Sequence, residues 1–520
     1  MNPSAAESIS KAAALQLSGK ADLALEELCR ARDRGDRSPK LYHAIGHLQF
    51  QSGQLEAATA TYQDLAYLDL FGSAAHYNLG VCWERLGQWD KAAEAFREAI
   101  ELEPQRPNAH LGLGVSLLHL QEPESAWKAF ETCLERQPFR EAALRGKAVA
   151  LQALDRRQEA AEVYHRLLSR DPYCEELLVN RIALAMAEGE YEAVAQYAQR
   201  LLEVQPQSRV ALEGLAGAAF AHRDYEKAVQ FCTTLVETHL DHSPGWFNLG
   251  IAHQKLGRYR EASIAYSQAV RLGLETVEVY LSLGTVLHEL EQWAPARAAY
   301  EKALAIEPGS KTALWNLALL LERNQEPGEA EKLYARLTAK CPDAQDAWFR
   351  LGFVRLQLGD YPGSVKAFKS CLIFQKMRPD VQMNIGIACW KMGKMEAAED
   401  QFRQVLAYAP RSVEVRRCLA AMALERQDFE RALKEHLHLL ELGESSAELL
   451  YNAGSLLHRA GRTAEAARVY RRAIAARTNF PEALFNLGHA LMSLGQEEEA
   501  RSSWEAAFRA NPDLAESSLV

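Results

Sequence analysis

The sequence is periodic, with a repeat length of about 34 residues, and no other feature constrains its fold as strongly. The string FNLG stands at residues 247–250 and returns at residues 485–488, seven periods later. The near copy YNLG stands at residues 77–80, five periods before the first FNLG. A period of about 20 to 50 residues is typical of repeat proteins, in which each repeat is one supersecondary unit. The sequence therefore predicts a row of similar units.

Within one repeat, apolar and small residues mark two helical faces. In residues 73–106, apolar residues follow the three- and four-residue spacing of an amphipathic helix over positions 4–11 and again over positions 20–28. The small residues Gly80 and Ala92, at positions 8 and 20, would let the two helices approach closely. Pro104, at position 32, would end the second helix. Each repeat is therefore predicted to be a helix-turn-helix pair.

This pattern resembles the tetratricopeptide repeat (TPR), whose hallmark is a helix-turn-helix unit of about 34 residues. Steps of this length place repeat starts at 5, 39, 73, 107, 141, 175, 209, 243, 277, 311, 345, 379, 413, 447 and 481. Position 20 is small throughout: Ala24, Ala58, Ala92, Ala126, Ala160, Val194, Ala228, Ala262, Ala296, Ala330, Ser364, Ala398, Ala432, Ala466 and Ala500. The resemblance implies an all-α fold, a right-handed superhelical α-solenoid of about 15 TPR units.

We expect one continuous TPR array over residues 5–514, with an N-terminal lead at 1–4 and a C-terminal tail at 515–520. A single repeat cannot bury its apolar face alone, so neighbouring repeats are expected to stack into one core. In the TPR family the first helix of each repeat lines the concave surface, and positions 2, 5, 6, 9, 12 and 13 face its groove. A ligand is therefore expected at these positions.

Charge and motif content argue against several classes of function. The chain has 69 acidic and 59 basic residues, a net charge of −10, whereas nucleic-acid binding needs a basic surface. We find no phosphate-binding glycine loop, nucleophile elbow or HExxH motif, so we expect neither an enzyme nor a bound cofactor. No apolar run is long enough to span a membrane, and the N-terminus does not resemble a secretory signal. The sequence predicts a soluble, cytoplasmic protein.

The cysteines and histidines do not predict a metal site. The nine cysteines include no Cys-x-x-Cys pair, and several, such as Cys133 and Cys371, occupy small apolar positions of the repeat. They are interpreted as reduced core thiols rather than disulfides or zinc ligands. His43 and His47 have the four-residue spacing of metal ligands, but the facing positions Tyr77 and Val81 offer no third ligand.

Asparagine recurs at the groove position 6. It is found in seven repeats, as Asn78, Asn180, Asn248, Asn316, Asn384, Asn452 and Asn486. A side-chain amide both donates and accepts, so such a ladder could hold the backbone of an extended peptide. The ladder is similar to that of the long TPR arm of O-GlcNAc transferase, although other residues interrupt it here. The alternative is that asparagine is simply common at this position of the repeat.

The middle of the array carries apolar side chains at groove positions 5 and 9. We call the following the trough residues: Phe247, Ile251, Leu281, Trp315, Leu319, Phe349, Phe353, Met383 and Ile387, with Asn248, Asn316 and Asn384 interleaved. Apolar side chains on a solvated face indicate a site for an extended peptide or an amphipathic helix. The alternative is that they pack against adjacent first helices on the inner radius of the coil.

The C-terminal end has a feature of its own. Trp504 and Phe508 occupy positions 24 and 28, which normally pack on the next repeat, yet the sequence holds no further repeat. Either the tail, with Leu514, Leu519 and Val520, folds over this face, or a second copy covers it and forms a homodimer. Trp504 and Phe508 are therefore candidate interface residues.

Two functional hypotheses remain after these exclusions. The first is a non-enzymatic scaffold that binds a peptide or a partner protein in the groove, around repeats 8 to 12. The second is an assembly arm: an oligomerising piece of a larger complex, or the substrate-selecting arm of an enzyme, as in O-GlcNAc transferase.

The carboxylate clamp known in some TPR proteins needs a lysine and asparagine pattern that no three successive repeats match.

Overall fold

The computed structural model describes residues 5–69, 72–373 and 378–516, and for residues 5, 515 and 516 the backbone alone. These residues form 31 helices and contain no strand, which confirms the all-α class of helix-turn-helix units. The predicted lead at 1–4 and residues 517–520 of the predicted tail lie outside the described residues. The chain consists of two compact units, Met1–Gly273 and Leu274–Val520, called here the first half and the second half.

The first half contains sixteen helices in its described residues. They are α1 (Ala5–Leu17), α2 (Ala21–Asp33), α3 (Pro39–Gln51), α4 (Leu55–Leu68), α5 (Ser73–Arg85), α6 (Trp89–Leu102), α7 (Pro107–His119), α8 (Pro123–Arg136), α9 (Glu141–Ala153), α10 (Arg157–Leu168), α11 (Glu175–Glu188), α12 (Tyr191–Val204), α13 (Arg209–Ala221), α14 (Tyr225–Thr238), α15 (Ser243–Lys255) and α16 (Tyr259–Arg271). Each odd-numbered helix packs antiparallel on the next and forms one repeat with it.

The second half continues the same order of helices. They are α17 (Val277–Glu289), α18 (Trp293–Ile306), α19 (Lys311–Arg323), α20 (Pro327–Lys340), α21 (Gln345–Gln357), α22 (Tyr361–Leu372), α23 (Pro379–Lys391), α24 (Met395–Tyr408), α25 (Val413–Glu425), α26 (Phe429–Glu441), α27 (Ala447–Arg459), α28 (Thr463–Ala476), α29 (Pro481–Ser493), α30 (Glu497–Ala510) and the short α31 (Asp513–Glu516).

The turn inside every repeat has the same backbone geometry. The residue at position 15 has a positive φ in all fifteen repeats, whether it is a glycine such as Gly87 (φ 70°) or a larger residue such as Gln121 (φ 61°). This left-handed conformation suits glycine, which has no Cβ to clash with the following carbonyl. Several second helices then begin at an aspartate cap; Asp224, for example, accepts a hydrogen bond from the Lys227 N–H at 3.2 Å.

The core is built from the same positions in every repeat. All fifteen residues at position 20 are fully buried, at 0% exposure. Position 24 usually carries a large ring that packs over the glycine of position 8, and a Cβ on Gly250 would lie 2.5 Å from the Tyr266 ring. Leu249 and Leu487 of the two FNLG strings are buried as well. The recurring leucine and glycine therefore serve packing.

Candidate functional site

The trough residues lie on the first helices of their repeats and are all half-buried. Phe247, Asn248 and Ile251 belong to α15 in the first half. The others belong to the second half: Leu281 on α17, Trp315, Asn316 and Leu319 on α19, Phe349 and Phe353 on α21, and Met383, Asn384 and Ile387 on α23. None is completely enclosed and none is fully exposed, so each combines a packed side with an accessible side.

Phe247, Trp315 and Phe349, three of the four trough aromatics, each pack on a ring of the second helix of the same repeat. Ring centroids are 5.6 Å apart for Phe247 and Tyr266 and 5.7 Å apart for Phe349 and Phe368. Tyr77 and Phe96, outside the trough, lie in the same way at 5.9 Å. This pairing belongs to the repeat as such, and its partner is the second helix of the same repeat rather than an adjacent first helix.

Trp315 also borders open space. Its ring packs edge-on against Tyr334 with centroids 5.8 Å apart, and it lines a pocket of about 390 Å³. The pocket has an apolar wall of Trp315, Leu337 and Cys341, and charged residues beside it, Lys311, Asp343 and Asp346. A cavity with an aromatic wall and charged groups around it is the usual form of a site that accepts an apolar anchor.

Phe349 is covered on one side by Arg378. The guanidinium carbon of Arg378 lies 5.0 Å from the ring centroid, in the range of a cation–π contact. Arg378 also pairs with Asp380 at 2.8 Å and with Asp346 at 3.8 Å. Burial raises the pKa of the Asp380 carboxyl, but its hydrogen bond with Arg378 and the charge of Arg378 outweigh burial and leave that pKa lowered. Sequence reasoning missed this arginine, which stands at the far end of the repeat that contains Phe349.

A second charged group lies among the trough residues of α21. Arg350, at position 6 of its repeat, is 3.4 Å from the largely buried Glu322. Glu322 also accepts a hydrogen bond from the Tyr334 hydroxyl at 2.5 Å. The Arg350 guanidinium has five N–H donors, and its bond to Glu322 uses one of them. Arg350 therefore places a positive charge with further donors beside Phe349 in the sequence of α21.

The asparagines of position 6 are partly used inside the protein. The Asn384 amide donates to its own helix at the Asp380 carbonyl, at 2.9 Å. The Asn486 amide donates to the Tyr451 hydroxyl at 3.1 Å. Asn316 hydrogen-bonds to the Tyr300 hydroxyl, a bond that lowers the pKa of Tyr300 against the larger, raising effect of burial. Each of these bonds uses one N–H of the amide, and the amide oxygens of Asn384 and Asn486 take no part in them.

The two candidate interface residues at the C-terminal end pack within their own repeat. The Trp504 indole N–H donates to the Phe485 carbonyl at 3.1 Å, and Phe508 packs on the Phe485 ring with centroids 5.9 Å apart. Both side chains are half-buried against α29. Leu519 and Val520, which the sequence offered as a cover for this face, lie outside the described residues.

Within residues 5–69, 72–373 and 378–516, no three histidine, cysteine or acidic side chains come together as a metal site would require. His43 instead lies beside Asn78, with 3.3 Å between the ring nitrogen and the amide nitrogen. The nine cysteines are all free. No helix within those ranges has the length and hydrophobicity needed to cross a bilayer.

Five family models, each described as tetratricopeptide repeat, match the chain. One matches residues 111–173, 180–239, 247–311, 383–447 and 429–481, and the others match residues 39–70, 73–106, 311–354 and 457–517. Together these matches cover most of the chain, in both halves.

Individual proteins match over shorter stretches. Tetratricopeptide repeat protein 8 of Caenorhabditis elegans is 26% identical over 186 residues, 35% of this chain and 37% of that protein. Protein FlbA of Caulobacter vibrioides is 25% identical over 185 residues, 36% of this chain and 31% of FlbA. The chain thus spans about a third of the length of the curated relatives it matches.

Among solved structures, YrrB, described as a TPR protein with an unusual peptide-binding site, is similar to 34% of this chain. That similarity covers 92% of the YrrB chain, with 20% identity and a TM-score of 0.32. The structure of Naa15/Naa10 bound to HypK-THB is similar over 98% of this chain and 94% of the matched chain, with 12% identity and a TM-score of 0.36.

Proposed function

The chain belongs to the tetratricopeptide repeat family, and we propose that it is a non-enzymatic scaffold that binds an extended peptide or an amphipathic helix of a partner protein. TPR proteins are in general interaction scaffolds rather than catalysts, and the proposal extends this property to one surface. That surface is the second-half part of the trough, from Leu281 on α17 to Ile387 on α23. The proposal places the protein in the cytoplasm and gives it a protein partner rather than a nucleic acid.

The observation that carries the proposal is the pocket beside Trp315. An aromatic side chain that borders a cavity of about 390 Å³ leaves apolar area in contact with water, and a ligand side chain would remove that area from water. Phe349, Phe353, Met383 and Ile387 continue the half-exposed apolar surface onto the next two first helices. A surface spread over successive helices suits a segment of polypeptide better than a compact small molecule.

The polar groups in this surface favour a ligand with backbone or acidic groups. The Asn384 amide oxygen can accept from a peptide N–H, because the bond of this side chain to its own helix uses the amide nitrogen. Arg350 lies between the apolar side chains and is held only loosely by Glu322, at 3.4 Å. A carboxylate on the ligand could pair with it and fix the register of the bound segment.

The test compares two double variants. Trp315→Ser/Phe349→Ser removes the two trough rings of the second half. Tyr77→Ser/Tyr451→Ser removes two rings at the same repeat position outside the trough, where Tyr77 and Tyr451 make the same ring pairs with Phe96 and Tyr470. Both variants should lose similar packing and keep their helical circular dichroism.

Affinity capture from a native cytosolic lysate, read by mass spectrometry, gives the partner, and titration of that partner then gives its affinity. We expect the trough variant alone to lose it. A partner held equally by all three proteins, or lost equally from both variants, would remove the trough from consideration.

The assembly arm is the second candidate, through Trp504 and Phe508. Their contacts with Phe485 leave less free apolar area than the sequence pattern indicated, and we rank this function below peptide binding. If the tail covers this end, truncation of residues 513–520 should promote self-association, visible by sedimentation velocity. An unchanged sedimentation profile would count against the tail as a cover.

A further inference from the structure

A charged pocket of about 190 Å³ lies between α24, α25 and α26 in the second half. Leu406, Leu419 and Ala423 form its apolar wall. The rest of its lining is charged: Glu399, Arg403, Arg426, Asp428, Arg431 and Lys434, together with Glu435. These residues fall outside repeat positions 2, 5, 6, 9, 12 and 13, so the pocket is separate from the trough.

Three guanidinium groups meet at one carboxylate in this pocket. Glu399, with 13% of its side chain exposed, accepts from Arg403 and from Arg426 at 2.8 Å each. Arg431 reaches both carboxylate oxygens of Glu399 at 3.2 Å. One negative charge therefore orients three positive ones, and each fork has further N–H groups for another acceptor.

The other carboxylates near the pocket have their own partners. Asp428 accepts from the Arg431 backbone N–H at 3.2 Å, as the cap of α26, and lies 3.8 Å from the Arg431 guanidinium. Glu435 pairs with Arg416 at 2.8 Å, and Asp400 lies 3.4 Å from Arg403. Among the described residues, Glu399 is the only carboxylate that pairs with Arg426. The positive charge of the pocket thus exceeds what its own carboxylates neutralise.

We propose that this pocket binds a tetrahedral oxyanion of the phosphate type, either as free phosphate or as the phosphate of a phosphorylated side chain. Guanidinium forks match the oxygen spacing of a phosphate, and those of Arg403, Arg426 and Arg431 remain about half exposed. The N-terminal turn of α26, which holds Arg431, adds the positive end of the helix dipole. Glu399 acts as a positioning residue that holds the arginines in place before the anion arrives.

The first test is the titration of the full chain with inorganic phosphate and with a short phosphoserine peptide, by calorimetry at low ionic strength. Wild type should show one saturable site for at least one of the two probes. The probe that binds more tightly identifies the source of the phosphate. Arg426→Gln/Arg431→Gln should weaken binding by about tenfold or more, because each loses a charge-assisted pair with the anion.

The matched control is Arg462→Gln/Arg471→Gln, which removes the same charge from two exposed arginines paired with Glu465 and Glu499. It should leave binding unchanged. Equal weakening by the control would show that the anion responds to net charge, and no saturable binding by wild type would show that the arginines are a surface network only. Either result overturns the proposal.

Glu399→Gln supplies a test with the opposite sign. The single amide oxygen can still accept from Arg426 and Arg431, which share one carboxylate oxygen in the wild type, while Arg403 loses its acceptor. The competing negative charge is gone, so phosphate should bind more tightly than to wild type. A variant that melts at a lower temperature but binds phosphate no better would mean that Glu399 and its arginines serve stability alone. Circular dichroism establishes in each case that the variants remain helical.

Discussion

The indole ring of Trp315 packs edge-on against the ring of Tyr334 at a centroid distance of 5.8 Å and an interplanar angle of 70°. The same indole borders the pocket proposed for a ligand side chain. One residue therefore contributes both to the packing of its repeat and to the accessible surface. Stability and ligand binding must be measured separately to distinguish these two roles.

The substitution Trp315→Leu should lower the free energy of unfolding of the second half by about 1–2 kcal/mol, because the edge-on ring contact and part of the buried area are lost. Chemical denaturation followed by circular dichroism gives this value. Tyr451→Leu removes the equivalent ring, which packs on Tyr470, and is the control. A loss of partner affinity restricted to Trp315→Leu would show that its exposed side contributes binding; equal affinity losses would show packing alone.

The turn at position 15 allows a prediction in both directions. Gln121→Gly and Glu291→Gly should each stabilise the protein by up to about 1 kcal/mol, because a left-handed residue with a side chain is strained and glycine is not. Gly87→Ala and Gly257→Ala should cost a similar amount, and a Cβ at either glycine meets no atom within 4 Å, so the cost would be conformational.

Thermal unfolding of the four single variants measures these effects. Destabilisation by both classes would contradict this account and indicate that the native side chains of Gln121 and Glu291 make contributions that outweigh the backbone strain.

Most of the fold follows from the sequence because each position of the repeat has a local physical role. A small residue is required at position 20, where two helices touch, and its recurrence, for example as Ala92, can be read from the sequence. The structure buries Ala92 completely. The close approach at position 8 was expected from the spacing, and the structure adds that the ring of Tyr266 packs over Gly250. Patterns of this kind repeat fifteen times, so the register is fixed many times over.

The site is harder to predict, because it depends on contacts between residues far apart in the chain. Tyr77 and Trp315 are both aromatic residues at position 5 of their repeats, and both pack on a ring of the second helix. Trp315 in addition lines the pocket of about 390 Å³. Arg378 reaches the ring of Phe349 from the end of the same repeat. Arg426 and Arg431 reach Glu399 from the following repeat. Such contacts arise from the stacking of consecutive helix pairs, and in the sequence these arginines resemble ordinary surface charges.

Close packing at Gly250 predicts a large effect of a single methyl group. A Cβ there would lie 2.5 Å from the Tyr266 ring, which is itself fully buried, so surrounding side chains would have to shift. Gly250→Ala should therefore destabilise the first half by about 1–3 kcal/mol, the usual cost of overpacking. Gly328→Ala is the control, since a Cβ at that position of α20 meets no atom within 4 Å. Similar midpoints of chemical denaturation for the two variants would contradict the packing described here.

His436 predicts how stability depends on pH. It occupies position 24 of its repeat, where most repeats carry a tyrosine or phenylalanine, and its side chain is 4% exposed. Burial lowers the pKa of His436, and the hydrogen bond to the Ala432 carbonyl and the charge of Glu435 offset this only in part. The neutral ring is thus the form that the folded protein favours.

The sign of the pH effect follows from this lowered pKa. In the unfolded chain the imidazole takes a proton near its ordinary pKa of about 6.5, whereas in the folded protein it does so only at lower pH. Once the pH approaches the ordinary pKa, unfolding is therefore accompanied by proton uptake. The stability of the second half should then fall as the pH drops from neutral towards the lowered pKa of the folded protein. Above neutral pH, His436 should contribute no pH dependence.

The substitution His436→Gln isolates this contribution, because an amide can still donate to the Ala432 carbonyl but does not titrate. The midpoint of chemical denaturation, measured at intervals from pH 8 to pH 5, should decline less steeply for His436→Gln than for wild type. The two curves should run parallel above pH 7, where both side chains are neutral. Parallel curves over the whole range would mean that His436 titrates alike in the folded and unfolded chains. The acid sensitivity would then come from other groups, of which His489, whose pKa partial desolvation also lowers, is the next to replace.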